Sequence, residues 1–208
     1  LNSYGRQFLD DEDKAAVLAV LDGNWLTQGP VSERFERELT DYVEAEHGVA
    51  FSSASAALHA SAWALGLGPG DIAVTSPLTF IASSNAFRHV GARPLVADID
   101  PQTWNIDLDL IPVEADAVMP VHFAGLPVDL SHWHGRQSNQ VVIEDASHAL
   151  GARTPAGPVG NCSNSDITCF SFHPVKPITT GEGGLATTND SELADRMRRF
   201  RDHGIRRN

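Results

Sequence analysis

At 208 residues, 42% of them hydrophobic, the chain can bury a core of one or two domains, and it contains neither an internal repeat nor a low-complexity linker. Its 27 acidic and 15 basic residues leave a net charge of -12, which opposes nonspecific attraction to nucleic acid or anionic lipid, so a phosphate on any ligand must be held by local groups. No stretch approaches the roughly 18 apolar residues of a membrane span. The polar opening LNSYGRQFLDDEDK lacks a signal peptide's apolar centre, so a cytoplasmic enzyme is expected.

In chain order, DEDKAAVLAVLDG reads as a first helix closed by Gly23. Val31, Phe35, Leu39 and Val43 then recur every four residues behind Gly29, Pro30 and Ser32, the pattern of an amphipathic helix with an N-terminal start signal. From there short apolar runs alternate with helical stretches: GVAF, IAVT, PLVADI, AVMPV, QVVIED, ITCFSF and GLATT. Six or seven such strands, most followed by a helix or a turn, predict an α/β fold with a largely parallel sheet whose ligands collect where strands end and helices begin. The stretch ADRMRRFRDHGIRRN reverses the chain's acidity and reads as a solvated helix face followed by a mobile end. Cys162 and Cys169 sit seven apart, matching neither a CxxC redox pair nor a zinc knuckle, and read as reduced bystanders.

Three places along the predicted sheet can carry chemistry. In FSSASAALHASAWALGLG a strand leads into small hydroxyl residues and a helix beginning near Ala54. The unpaired amides of a first helical turn, with the Ser53 and Ser55 hydroxyls, make an anion pocket, although an ordinary serine N-cap has the same sequence. In QVVIEDASHALG, alternation along a strand lets only one of Glu144 and Asp145 face a given side, and a carboxylate at the mouth of a buried strand calls for a cation. Asp145 is equally suited to cap the turn that follows, and His148 is open to a structural role near the same rim.

In FSFHPVKPITTGEGG, Lys176 follows an apolar strand and stands between Pro174 and Pro177, which fix φ and remove backbone donors. A partly desolvated amine has a lowered pKa and a lone pair ready to attack a carbonyl, whereas a surface loop lysine would need no such frame. One ligand needs an anion pocket, a carboxylate facing a ring nitrogen and a lysine that condenses with an aldehyde: pyridoxal 5'-phosphate (PLP). The alternatives are weaker. No GxGxxG follows the first strand, no GxSxG elbow exists, and His132 with His134 in SHWHG lacks a third metal ligand.

The motifs WLTQGP at 25 to 30, SPLTFIAS at 76 to 83, DIDPQTWNID at 98 to 107, EDASHALG at 144 to 151 and FSFHPVKPITTGEGG resemble the DegT/StrS-type sugar aminotransferases. With SYGRQ at the start, they are most similar to the C4 aminotransferases of pseudaminic acid biosynthesis. That resemblance implies the large domain of the fold type I, aspartate aminotransferase-like, PLP-dependent transferases, with a central, mostly parallel mixed sheet of about seven strands flanked by helices. It implies an N-terminal arm, helix and substrate-bordering loop over residues 1 to 30, a PLP-binding large domain over 31 to 208, and a small C-terminal domain that this chain does not include.

Carried over residue by residue, the resemblance makes Lys176 the Schiff-base lysine and proton shuttle and Asp145 the partner of the pyridinium nitrogen. It places His148 near the cofactor's O3' and Phe80 on the ring face, gives the phosphate to Ala54, Ser55 and Ser171, and sets Thr27 beside the sugar. L-Glutamate would donate nitrogen, and a UDP-linked 4-keto-6-deoxy-N-acetylaminohexose would accept it at C4, the alternative being another nucleotide 4-keto sugar of the perosamine, bacillosamine or 4-amino-arabinose type. A homodimer is implied, with no partner among nucleic acids or membranes. A dehydratase branch of the family carries histidine in place of this lysine, so Lys176 favours transamination. A non-catalytic PLP-binding relative is the rival from another class.

Overall fold

The computed structural model describes residues 6–205, so Ser3, Tyr4 and Gly5 of the SYGRQ motif and the last two arginines lie outside the described residues. Helix α1 (Asp11–Leu21) opens with a capping box in which the Asp10 carboxylate accepts from the Asp13 amide while the Asp13 side chain accepts from the Asp10 amide. It buries none of its side chains. Helix α2 (Pro30–Val43) has proline at its first position, where no donor is lost, and ends on Glu44 in the left-handed region.

Strands β1 (His47–Phe51), β2 (Ile72–Thr75), β3 (Arg93–Val96), β4 (Ala117–Met119), β5 (Val141–Asp145), β8 (Ile167–Ser171) and β9 (Gly184–Thr188) form one sheet in the order β1-β9-β8-β5-β4-β2-β3. Each expected strand is present, though PLVADI yields only Arg93–Val96, AVMPV stops at Met119 before the proline, and QVVIED and ITCFSF each lose one end residue. The sheet is mixed because β9 runs antiparallel to both β1 and β8, while the remaining pairs are parallel. A two-residue hairpin of β6 (Arg153–Thr154) and β7 (Gly157–Pro158) stands apart. Among the described residues, no helix is long and apolar enough to cross a membrane.

Alternation along the central strands feeds cores on both faces of the sheet, in three clusters among the described residues. On one face Ile143, Ile167, Cys169 and Ala186 pack with Leu58 of α3 (Ala54–Ala64), Phe87 of α4 (Ala82–Val90) and Met197 of α5 (Ser191–Arg201). On the other, Phe170, Phe172 and Leu185 meet Val43, Phe35 and Leu39 of α2. The four-residue spacing therefore marks the packed stripe of α2 from Phe35 through Leu39 to Val43, whereas Val31, at the start of the helix, is 48% exposed. Covering both faces leaves the carboxyl ends of the strands as the open edge, which positions the site.

The arginine-rich stretch departs from a solvated face. Arg198 donates to the Gly48 carbonyl, and the part-buried Arg201 donates to Glu36, to the Ala50 carbonyl and to Asp202. α5 is thereby tied to α2 and β1, which a reading of charge runs alone misses.

Candidate active site

Five chain segments converge at the carboxyl edge of the sheet. After β1 the chain turns at Ser53, whose hydroxyl accepts from the Ala56 amide and so serves as an N-cap. The amides of Ala54 and Ser55 head the helix without an intrahelical acceptor, as first-turn amides do. The ordinary capping role thus belongs to Ser53, while the next two residues supply the donors. Gly184 at the start of β9 makes this turn possible: a Cβ there would stand 2.5 Å from the Ala54 nitrogen and would overlap the Ser53 carbonyl.

At the end of β5 the two carboxylates part as alternation requires. Glu144 points to one face and takes hydrogen bonds from His122, Ser165 and Thr168. His122 accepts the Val128 amide at Nδ1, so the proton on Nε2 faces Glu144, 2.9 Å away. Burial opposes the Glu144 charge, but the His122 hydrogen bond and those of Ser165 and Thr168 outweigh it and hold the carboxyl below its usual range. Asp145 points the other way and is 5% exposed. Its Oδ1 accepts the Ser147 hydroxyl at 2.6 Å and the Ser147 amide at 3.2 Å, and its Oδ2 accepts the Ser83 hydroxyl at 2.7 Å. Asp145 therefore does close the turn after the strand, and with the same carboxylate it also faces the cavity.

β8 ends at Ser171 and delivers the lysine loop. Phe172 closes that loop at its base, donating its amide to Gly183 and accepting from the Thr180 amide and the Thr179 hydroxyl. Within it, the Lys176 amide donates to the His173 carbonyl at 2.9 Å, a turn with Pro174 and Val175 between. Lys176 is half-buried. Desolvation lowers its pKa, and the charge of Asp145 works against that fall. The His148 pKa is lowered by burial and by the Lys176 charge, with Asp145 again opposing, a direction that favours the neutral imidazole.

Ala54, Ser55, Phe80, Asp145, His148, Ser171 and Lys176 all border one cavity of about 490 Å³. Lys176 and Asp145 thus face the same space from the same side of the sheet. Phe80 stands on the loop between β2 and α4, 74% exposed at the rim. Thr27 is elsewhere: it lines a separate groove of about 870 Å³ between α2 and the end of α5, on the other side of the chain leading into α3. The same cavity is also bordered by Thr79, Ser147, His173 and Glu182, which sequence reasoning did not single out. Ser83, beneath it, was missed as well, because a serine inside a helix gives no sign of its partner across 62 residues. Among the described residues, no group of three or more His, Cys, Asp or Glu could hold a metal ion.

The residues present fit PLP on structural grounds. The α3 amides and the Gly184 cradle suit a phosphate, buried Asp145 suits a ring cation, and half-buried Lys176 suits an aldehyde. The model of the DegT/DnrJ/EryC1/StrS aminotransferase family matches residues 7–208. The chain belongs to this family. A relative from Shewanella sediminis, UDP-4-amino-4-deoxy-L-arabinose--oxoglutarate aminotransferase, is 38% identical over 96% of this chain and 52% of its own length. Helicobacter pylori PseC, an aminotransferase involved in the biosynthesis of pseudaminic acid, superposes with a TM-score of 0.88 at 35% identity, covering 99% of this chain and 57% of that one. The PLP form of Spr1654 from Streptococcus pneumoniae gives a TM-score of 0.88 at 29% identity, covering 95% and 57%. The chain spans about half the length of the curated relatives it matches.

Proposed function

We propose that the protein is a PLP-dependent aminotransferase that moves an amino group from L-glutamate to C4 of a UDP-linked 4-keto-6-deoxy-N-acetylaminohexose, in glycan biosynthesis of the pseudaminic acid type. The observation that carries this is the convergence of seven residues, from positions 54 to 176, on one cavity. Bound PLP supplies an aldehyde carbon that takes up nitrogen and a protonated ring that accepts electron density from the reacting carbon. The Ala54 and Ser55 amides and the Ser171 hydroxyl would hold the phosphate, Phe80 would cover one ring face, and neutral His148 would donate to the ring hydroxyl oxygen. Asp145 would keep the ring nitrogen charged. Lys176 Nζ would bind the aldehyde and, once released, carry the proton to and from the reacting carbons, work worth roughly a hundred- to ten-thousand-fold in rate.

The choice of sugar is supported by the likeness to PseC over 99% of the chain. A second acceptor, a nucleotide-linked 4-keto pentose leading to 4-amino-arabinose, is favoured by the 38% identity to the Shewanella relative. The proposed assembly is a homodimer and the proposed location the cytoplasm, both on the family resemblance.

The test is spectroscopic and then chemical. Full-length protein supplied with PLP should gain a visible absorbance that borohydride abolishes and that Lys176→Ala lacks. L-Glutamate alone should bleach it. A panel of nucleotide 4-keto sugars should then yield one amino-sugar product by mass. An absorbance unchanged in Lys176→Ala would overturn the assignment, and bleaching with no sugar product would redirect it to another amino acceptor.

A further inference from the structure

We infer that Ser83, backed by Thr79, is a positioning residue: its hydroxyl fixes the Asp145 carboxylate so that one acceptor direction, on Oδ2, is left for a ring N–H in the cavity. The inference rests on the proposed PLP chemistry and concerns residues that lie outside the motif roles already assigned.

Hydrogen-bond capacity supports it. A carboxylate offers about four acceptor directions, two on each oxygen. Oδ1 of Asp145 is filled by the amide and hydroxyl of Ser147, whereas among the described residues Oδ2 receives only the Ser83 hydroxyl. The fourth direction is therefore on Oδ2, and Asp145 borders the cavity. Groups facing Asp145 across that cavity are Lys176 and His148, both in electrostatic contact with it.

Ser83 is wholly buried, and its single proton has two acceptors in reach, the Asp145 carboxylate at 2.7 Å and the Phe80 carbonyl at 3.2 Å. The shorter, charge-assisted bond takes it. Thr79 Oγ1 lies 2.6 Å from Ser83 Oγ, so Thr79 must be the donor of that pair. The relay runs from the Thr79 hydroxyl to Ser83 to Asp145. Both hydroxyls sit where the loop carrying Phe80 enters α4, so one short segment sets both the ring face and the ring nitrogen's counter-charge.

A ring nitrogen is the group that reads Oδ2, so the test compares PLP with its 1-deaza analogue, in which carbon replaces that nitrogen. In the full-length protein, Ser83→Ala should weaken PLP about tenfold, the size expected for one hydrogen bond to a charged group, and should leave affinity for the deaza analogue within about twofold. Thr79→Val, which keeps the side-chain shape at a less buried position, should show the same selectivity with a smaller loss, about threefold, and Thr79→Ser should restore it. If Ser83→Ala does not fold, the Thr79 pair decides alone. Equal losses for both ligands would make the two hydroxyls purely structural and overturn the inference. Failure of the unsubstituted protein to bind PLP would instead overturn the proposed function beneath it.

Discussion

Gly184 and Ser53 stand so close that no side chain fits between them: a Cβ on the glycine would overlap the serine carbonyl and reach 2.5 Å from the Ala54 nitrogen. The glycine's φ is not in the left-handed region, so what it provides is space and not conformational freedom. Gly184→Ala must push the start of α3 away from β9, and with it the two amides assigned to the phosphate. PLP affinity is expected to fall by at least about tenfold, since a displaced pair of amides forfeits more than one hydrogen bond to a charged group. Gly68→Ala, whose added Cβ would meet nothing nearer than 3.8 Å, is the control and should bind normally. Fluorescence titration with PLP measures both.

The chain has only two lysines, Lys14 and Lys176, which makes the second one's chemistry directly readable. Desolvation holds Lys176 below the ordinary lysine range, and Asp145 partly restores it. A larger fraction of its amine is therefore neutral at any pH below that range, and the fraction should grow when Asp145 is replaced by Asn. Competitive acetylation of the cofactor-free protein across pH, read by mass at each lysine, should show Lys176 reacting at lower pH than a free lysine side chain, with a further downward displacement in Asp145→Asn. A rise in that variant would contradict the electrostatic account.

Glu144 and His122 form the buried counterpart on the other face of β5. The His122 amide also donates to the Asp145 carbonyl at 3.1 Å, so the pair braces the strand end that carries the cavity carboxylate. Removing Glu144 as Ala leaves three neutral donors facing a void and should cost about 1 to 3 kcal/mol for each that finds no other acceptor. Because its folded pKa lies below that of an ordinary glutamate, the stability it contributes is present above the ordinary glutamate range and is lost as pH falls through the folded pKa. Urea midpoints of the parent and Glu144→Gln should accordingly differ most near neutral pH and converge in acid.

Much of this was legible in the residues. Short apolar runs specified the seven strands of the sheet because burial on both faces demands continuous Val, Ile and Ala, and Gly23, Gly29 and Pro30 punctuated α1 and α2. Lys176 stood out through its two prolines, and the ED pair through alternation. What stayed hidden depends on contacts between distant segments. Ser83 and Ser147 look like any helix or turn serine until the fold sets them on the two oxygens of Asp145. The antiparallel direction of β9 is decided by pairing with β1 and β8, not by its own GLATT. Thr27 belongs to a loop whose place is set by residues some 170 positions later.

The cysteines should be inert while the fold holds. Burial pushes the Cys162 thiol up to about 11 and Cys169 higher still, so the thiolate fraction at pH 8 is negligible at both. Ellman's reagent at pH 8 should label neither in the native protein and both in guanidinium. Rapid native labelling of either would mean that the sheet around β8 opens.

Arg201 offers the means to ask what the Thr27 loop does. Its guanidinium donates to Glu36 at 2.7 Å and to Asp202 at 3.0 Å, while Gln28 donates to the same Asp202 oxygen at 3.1 Å, so the residue next to Thr27 is held through one shared carboxylate. Arg201→Met keeps the apolar stem and removes the fork. Among the described residues the Glu36 side chain, 14% exposed, then retains only the Ala50 amide as a hydrogen-bond partner, and the expected destabilisation is about 1 to 3 kcal/mol. Asp202 loses its cation, and Gln28, which sits at φ 55°, loses a fixed anchor. Should the loop border the sugar, KM for the keto sugar should rise severalfold, while bleaching by L-glutamate proceeds at the parental rate, because Thr27 and Arg201 line a groove separate from the cavity that Lys176 borders. Equal slowing of both halves would instead place the effect of Arg201 on the cavity itself, through the chain from Ala50 to Ala56 that lines the groove.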